Sequence, residues 1–224
     1  MIIKDIAKNI KKIYKWILNS DSILSWIVAL ILIFIIIKFI LFPFLSLITG
    51  TSLPLAGVES SSMDHQIVKD NYGNYNLCGN FYIPNQKEFI NYDKYWEICG
   101  TWYERKNISK EIFSEFPIKN GFKKGDIIIV WGRFKPKIGD IVIFKPNIES
   151  TSAHPIIHRI IEITNNTIQT KGDHNSKQLI ISNNPYKTDE TTIKEDQLLG
   201  KAILKIPYLG WVKLFFVELI NKFR

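Results

Sequence analysis

The sequence predicts a mainly β domain of antiparallel strands that follows one N-terminal membrane helix. Three observations lead to this fold class. The segment from Ile23 to Leu47 is almost wholly apolar. After residue 125, short β-rich segments alternate with turns that contain glycine, asparagine or proline. The rest of the 224-residue chain leaves roughly 170 residues outside the membrane, which suits a single globular unit with its own core.

The first twenty residues are predicted to form a separate amphipathic helix. Isoleucines at 3, 6, 10, 13 and 17 recur every three or four positions, and five lysines at 4, 8, 11, 12 and 15 fall on the other face. Such a helix would lie along the anionic cytoplasmic surface of a membrane. Docking on a protein partner is the alternative interpretation.

Residues 22–49 are predicted to be a transmembrane anchor. A helix across a bilayer core needs about 20 residues, and this segment is longer than the usual apolar part of a cleaved signal peptide. We expect Pro43 to kink or end the helix. Because positive residues favour the cytoplasmic side, the chain is predicted to cross the cell membrane once, with its N-terminus inside and everything after about Gly50 outside.

Residues 50–210 are predicted to form the extracytoplasmic domain. The strand candidates are Asp126–Trp131, Asp140–Phe144, Pro155–Ile163, Thr167–Thr170 and Leu198–Leu204. Residues 66–120 are polar and aromatic, and we interpret them as an insertion with short helices around Gln86–Trp96 and Ser109–Phe113. Residues 211–224 are apolar but carry charges, which favours a helix at the membrane interface over a second span.

Charge and cysteine content exclude several classes of function. The net charge is +8, but half of this excess lies in the first twenty residues and no basic stripe follows, so nucleic-acid binding is not expected. Cys78 and Cys99 lack the spacing of a zinc site, and no metal or organic cofactor is predicted. Outside the cytoplasm they could form a disulfide, or they could be two unrelated buried thiols.

Taken one by one, the polar residues that could perform chemistry have ordinary structural explanations. A serine nucleophile needs a base within hydrogen-bond reach and donors for the developing oxyanion. His158 lies in an apolar strand, where a hydrogen-bonded structural histidine is the simplest interpretation. The serines of Ser60–Met63 are typical of a turn or a helix cap, and Asp173 lies in a glycine turn.

Together, and in this order, the motifs resemble signal peptidase I of the archaeal and endoplasmic-reticulum type. Five segments carry the resemblance across most of the domain. They are S-S-S-M at Ser60–Met63, K-I-G-D-I-V-I-F at Lys137–Phe144, I-I-H-R-I-I at Ile156–Ile161, T-K-G-D-H-N at Thr170–Asn175, and L-L-G-K-A-I with I-P-Y-L-G-W between Leu198 and Trp211.

The resemblance implies a serine endopeptidase that removes N-terminal signal peptides from translocated pre-proteins through an acyl-enzyme. It points to Ser62 as nucleophile, His158 as general base and Asp173 as a group that orients the base. The oxyanion site would combine the Ser62 amide with the Ser60 hydroxyl. Small substrate residues would enter shallow apolar pockets, for which Met63 and Ile143 are candidates. The implied partners are signal peptides, the lipid bilayer and the protein translocation channel.

Two departures from the family pattern bear on the site. The motif serine and methionine are usually followed, one residue on, by proline, and this chain has His65 there. Many relatives carry a second aspartate about six residues after the first, where this chain has Leu179. Asp189 or Glu190 could supply the missing carboxylate, with Glu190 preferred on resemblance, or Asp173 could serve alone. The altered acid leaves a second hypothesis, an inactive relative that binds nascent chains or the translocation machinery.

Overall fold

The chain divides into two compact units, residues 1–48 and residues 49–224. The computed structural model describes residues 12, 15–17, 19–20, 22–70, 73–82, 90–152 and 154–211. Most of the predicted amphipathic helix at residues 1–20, and the predicted tail helix after its first residue, Trp211, lie outside the described residues.

The first unit contains one long helix, α1, which runs on to Thr49 at the start of the second unit. Its bounds are Ile23–Thr49, and its N-cap is Ser22, whose hydroxyl accepts a hydrogen bond from the Ser25 amide at 3.2 Å. A π-helical turn at Ile37–Leu41 precedes Pro43. The helix continues through Pro43. Of the two alternatives expected from the sequence, a kink or an end of the helix at this proline, the end is therefore wrong. The 27 residues of α1 are long and apolar enough to cross a membrane, as the predicted anchor requires, and its insertion in a bilayer stays a prediction.

The second unit is built on an antiparallel six-stranded sheet, as the fold-class prediction required. Among its described residues the unit has nine strands, which are β1 Leu55–Gly57, β2 Val68–Lys69, β3 Tyr75–Leu77, β4 Asn80–Tyr82, β5 Ile127–Trp131, β6 Ile141–Phe144, β7 Ile156–Ile163, β8 Ile168–Lys171 and β9 Leu198–Ile206. The strands of the six-stranded sheet lie in the order β1-β5-β9-β6-β7-β8, and every neighbouring pair is antiparallel. All five predicted strands are present within one or two residues of their expected bounds.

The described part of the insertion at residues 66–120 contains a small sheet and two helices. Strands β2, β3 and β4 form an antiparallel meander. Helix α2 is Tyr92–Glu104, capped by the Asn91 side chain, and helix α3 is Lys110–Ser114. The first helix thus begins later than its predicted start at Gln86, and residues 83–89 lie outside the described residues. A disulfide between Cys78 and Cys99 joins the meander to α2, which settles the alternative left open by the sequence.

Of the three apolar clusters of buried residues in the described part of the chain, two hold these parts together. One lies under the six-stranded sheet and includes Met63, Ile128 and Ile143, while the other is aromatic and fills the insertion around Tyr95, Tyr103 and Phe113. Successive side chains of a strand point to opposite faces. On β7, His158 and Arg159 therefore face opposite sides of the sheet, and the two neighbours serve different surroundings.

Candidate active site

The loop that carries Ser62 is fixed by its own backbone. The Asp64 amide donates to the Ser61 carbonyl at 2.9 Å and closes a turn around Ser62. The Met63 carbonyl accepts from the Phe122 amide at 2.9 Å, and the Met63 side chain is buried in the core. Gly121 makes this approach possible, because a Cβ there would lie 2.0 Å from the Met63 carbonyl oxygen. The turn leaves Ser62 half-buried at the surface of a rigid support.

His158 lies beside this loop, and both are next to Gly172. A Cβ added to Gly172 would lie 2.7 Å from His158 Nε2 and 2.7 Å from the Ser62 carbonyl oxygen, so the ring and the Ser62 backbone are close neighbours. The His174 amide also donates to the Ser62 carbonyl at 2.9 Å. Among the described residues, the Ser62 hydroxyl is hydrogen-bonded to Ser60 and no hydrogen bond joins it to His158. Such bonds often tighten only when substrate binds.

The carboxylate in contact with His158 is that of Glu190. Its Oε1 pairs with His158 Nδ1, and both side chains are almost completely buried. Oε1 also accepts from the Thr170 hydroxyl at 2.9 Å, and Oε2 accepts from the Leu179 amide at 2.7 Å. The carboxylate therefore lies next to Leu179, the position where the family pattern places its second aspartate. An acid from a later loop occupies the space beside that residue.

The other two predicted acids lie elsewhere. The Asp173 carboxylate accepts from Arg159 Nε at 2.9 Å and from Arg159 Nη2 at 2.7 Å, and it contacts His65 and Tyr103. The Asp189 carboxylate accepts hydrogen bonds from Thr191 and Thr192 in its own turn. Neither carboxylate lies against the His158 ring. Asp173 lies on the sheet face of Arg159, and Asp189 is hydrogen-bonded within its own turn.

The Arg159–Asp173 pair is completely buried and fully hydrogen-bonded. Besides Asp173, the guanidinium donates to the carbonyls of Pro117, Gly139 and Ile118 at 3.0 to 3.2 Å, so all of its N–H groups have acceptors. Burial alone would raise the pKa of the Asp173 carboxyl, but the Arg159 charge and the His65 hydrogen bond hold it well below its usual range. A carboxylate committed in this way is a structural ion, with no capacity left for His158.

A buried lysine lies on the same face as Arg159. The Lys171 ammonium donates to the Gly172 carbonyl at 2.9 Å and lies over the rings of Trp102 and Tyr103, about 5 Å from each centroid. Burial lowers the pKa of Lys171 to about 8, although the carboxylates of Asp173 and Glu190 oppose the shift. The charge is thus held next to the turn that carries Gly172, without facing Ser62.

The predicted oxyanion and pocket residues are also located. Ser60 Oγ lies 3.2 Å from Ser62 Oγ, so its hydroxyl is next to the predicted nucleophile. Ile143 belongs to the same apolar cluster as Met63, and both side chains are at most 2% exposed. Both are therefore residues of the buried core, and their part in substrate pockets stays a prediction.

Sequence reasoning overlooked three contributors to this arrangement. Thr170 supports Glu190, Gly172 permits the approach of His158, and Arg159 neutralises Asp173. The alternation of a strand places Thr170 and Gly172 on one face, which was a usable signal. An arginine within the apolar strand Ile-Ile-His-Arg-Ile-Ile was another, since a buried guanidinium requires a carboxylate.

Several known proteins are similar to this chain in sequence. No family model matches the chain. It is 26% identical over 104 residues to the signal peptidase complex catalytic subunit SEC11 of Pyricularia oryzae, which is 43% of this chain and 57% of that protein. The chain is similar to signal peptidase catalytic subunits. The resemblance predicted from the motifs is confirmed by these relatives.

Two further relatives carry the same description. The SEC11 subunit of Komagataella phaffii is 28% identical over 118 residues, which is 46% of this chain and 61% of that protein. The subunit of Colletotrichum graminicola is 24% identical over 104 residues, or 43% and 57% of the two chains. The chain therefore spans 57% to 61% of the length of these relatives.

Proposed function

We propose that the protein is a membrane-anchored serine endopeptidase that removes signal peptides from translocated pre-proteins. One observation carries the proposal: the half-buried Ser62 lies beside a buried His158 whose Nδ1 is paired with a carboxylate. A serine, a base and an acid that orients the base form the constellation for acyl transfer. The similarity to SEC11 catalytic subunits gives the substrate class.

In the proposed reaction His158 is the general base. Its Nε2 takes the proton from the Ser62 hydroxyl as Oγ attacks the carbonyl carbon of the scissile peptide bond. Glu190 accepts the Nδ1 hydrogen bond and stabilises the imidazolium that forms. The Ser60 hydroxyl and the Ser62 amide stabilise the oxyanion, where one such donor is worth about 10²–10³ in rate.

Collapse of the tetrahedral intermediate completes the first half of the reaction. The C–N bond breaks, and His158 returns its proton to the leaving amine, which becomes the new N-terminus of the mature protein. The signal peptide is left as an ester on Ser62. Water, deprotonated by His158, then attacks this ester and releases the signal peptide while Ser62 regains its proton.

Two strand edges are available for an extended substrate. Among the described residues, β1 pairs only with β5, and it leads directly into the Ser62 loop. On β7, the pairing with β8 stops at Arg159, so Ile156 and Ile157 pair only with β6. Added strands gain affinity through backbone hydrogen bonds, and pockets for alternate side chains then give specificity.

The membrane arrangement belongs to the same proposal. Helix α1 anchors the chain in the cell membrane, and the lysines before it keep the N-terminus in the cytoplasm. The domain after Gly50 then acts on the extracytoplasmic side, with the bilayer and the translocation channel as its surroundings. Protease protection of inside-out and right-side-out vesicles would test this orientation.

The decisive experiment measures cleavage of a pre-protein by the full chain in proteoliposomes. The Ser62→Ala variant should insert and fold but show no cleavage, whereas Ser61→Ala, one residue away, should cleave at close to the wild-type rate. Full activity of Ser62→Ala would overturn the proposal. A wild-type protein that binds the pre-protein without cutting it would instead favour the inactive relative.

A further inference from the structure

The insertion reaches the catalytic region through helix α2. The Tyr103 hydroxyl donates to Asp173 Oδ1 at 3.0 Å, and the Tyr95 hydroxyl donates to the Asp173 backbone carbonyl at 2.9 Å. Both tyrosines have no exposed surface. These two hydrogen bonds connect the insertion at residues 66–120 to the turn that carries Asp173.

His65 adds a contact from the nucleophile loop. Its Nε2 lies 3.0 Å from Asp173 Oδ2, and its ring stacks on Tyr95 with centroids 3.6 Å apart and planes 1° apart. It comes three positions after Ser62, where the family motif has proline. Burial lowers the pKa of His65, although Asp173 opposes this shift. Because a carboxylate only accepts hydrogen bonds, Nε2 is the nitrogen that donates to Asp173.

Asp173 thereby joins three separate segments. Its carboxylate accepts hydrogen bonds from the nucleophile loop through His65, from the base strand through Arg159, and from the insertion through Tyr103. Burial raises the pKa of Tyr95 and Tyr103 well above its usual value, so both remain donors at neutral and mildly alkaline pH. The whole arrangement is closed to solvent.

The two neighbours of Asp173 touch the reacting groups. Gly172, before it, lies against His158 Nε2 and the Ser62 carbonyl. His174, after it, donates its amide to the Ser62 carbonyl at 2.9 Å, and its own carbonyl accepts from the Cys78 amide at 2.9 Å. Any shift of Asp173 would therefore move the backbone that lies between nucleophile and base.

We propose that His65, Tyr95 and Tyr103 are positioning residues, and that the insertion acts as a support that sets the separation of Ser62 and His158. The inference rests on the proposed peptidase function and deepens it. None of the three residues contacts the reacting atoms. They act through Asp173 and its two neighbours, and displacement of a catalytic group by about 1 Å can cost 10²-fold in rate.

The test is a single-turnover measurement with enzyme in excess over a synthetic pre-protein, using the full chain in proteoliposomes. The single-turnover rate constant at saturating enzyme does not depend on the fraction of molecules that are folded, so a merely structural defect leaves it unchanged. Tyr103→Phe, which removes one hydroxyl, should lower this constant about tenfold, and His65→Leu about 10–100-fold. The enzyme concentration at half-saturation should stay within about twofold.

Two matched variants sharpen the result. Tyr92→Phe removes a hydroxyl of the same helix that donates to the Lys110 carbonyl, away from Asp173, and should keep the wild-type constant. His65→Gln offers an amide N–H near the position of Nε2 and should recover most of the rate lost in His65→Leu.

The outcomes separate the two proposals. Wild-type constants in both Tyr103→Phe and His65→Leu would overturn the positioning role, as would an equal loss in Tyr92→Phe. Both results presuppose that cleavage depends on Ser62. If Ser62→Ala cleaves like the wild type, the proposed function itself fails, whatever the insertion variants do.

Discussion

Two histidine–carboxylate pairs lie on opposite sides of the β7–β8 ladder. His158 pairs with Glu190 on one face, and His65 pairs with Asp173 on the face of Arg159. In the first pair the acid contacts the ring at Nδ1, and Nε2 is directed toward Gly172 and the Ser62 backbone. In the second pair, His65 Nε2 contacts the Asp173 carboxylate, and Arg159 and the tyrosines of the insertion surround that carboxylate.

The comparison shows that the pair itself does not define a catalytic site. Both rings are buried and both acids have no exposed surface. What differs is the surroundings of the ring. Nε2 of His158 lies close to a half-buried serine loop, whereas the His65 ring stacks on Tyr95 among aromatic side chains. We expect function to follow from what the imidazole faces, and the variants below test that distinction.

The largest effect is expected at Glu190. Glu190→Gln keeps the size of the side chain but removes the charge that stabilises the imidazolium, so kcat should fall about 10²–10⁴-fold. Asp189→Asn, one residue earlier, keeps its acceptor for Thr191 and should stay within about twofold of wild type. Cleavage assays of both variants decide between the two acids, and a greater loss in Asp189→Asn would reverse the assignment.

A substitution in the second pair should lower the free energy of unfolding. Asp173→Asn leaves the buried Arg159 guanidinium without its counter-ion, which costs about 3–5 kcal/mol in the free energy of unfolding. Denaturant unfolding of the full chain, followed by tryptophan fluorescence, measures this loss for the unit of residues 49–224. If Asp173→Asn were as stable as wild type and only lost activity, the contrast between the pairs would break down.

The same carboxylate predicts the acid side of the stability profile. Since its pKa in the folded protein lies below that of the unfolded chain, Asp173 contributes stability that is present above about pH 4 and is lost progressively at lower pH. The wild type should therefore lose stability on acidification more steeply than Asp173→Asn. Parallel curves would show that other carboxyls dominate.

Gly172→Ala should disturb the first pair by geometry alone. The added methyl would meet His158 Nε2, the Ser62 carbonyl and the Asn175 amide at 2.6 to 2.7 Å. Because the groups must separate, kcat should fall about 10–100-fold. Gly57 lies on the proposed β1 substrate edge, but an added Cβ there has no neighbour within 4 Å, so Gly57→Ala should keep its kcat and could alter only KM. Unchanged kcat in Gly172→Ala would mean that the His158 ring has room to move.

The smallest effect concerns Lys171. The pKa of Lys171 is about 8 in the folded protein, and its usual value is 10.5. Between these two pH values the unfolded chain therefore binds more protons than the folded chain. The free energy of unfolding should therefore rise with pH in this window, by up to about 1.4 kcal/mol per unit. Lys171→Met should abolish the rise, whereas Lys106→Met, at the surface, should keep it. Equal slopes in wild type and Lys171→Met would contradict this.

Much of the arrangement was predictable from the sequence. The strands were predictable because segments rich in β-branched residues, separated by turn residues, are local signals. The order of the motifs identified Ser62 and His158 as a candidate pair. The preference for Glu190 over Asp189 as a third group came from resemblance. The structure adds a physical reason, since Glu190 pairs with His158 while Asp189 closes its own turn.

The remaining features depend on contacts between distant segments. Residues 66–120 showed no clear periodicity, because a three-stranded meander and an aromatic helix bury short, mixed stretches of chain. The contacts of Asp173 were not predictable for a related reason. Its partners His65, Tyr103 and Arg159 are 108, 70 and 14 positions away, and no local pattern announces such a meeting.

The Cys78–Cys99 disulfide links the maturation of this domain to its location. The bond ties the meander, whose Cys78 amide holds the His174 carbonyl, to the helix that carries Tyr95 and Tyr103. Thiols in a reducing cytoplasm stay unpaired, and disulfides form and persist in oxidising compartments. In the proposed orientation, a newly made chain would complete its fold only after export, so the proposed peptidase would stay incomplete on the side where precursors are synthesised.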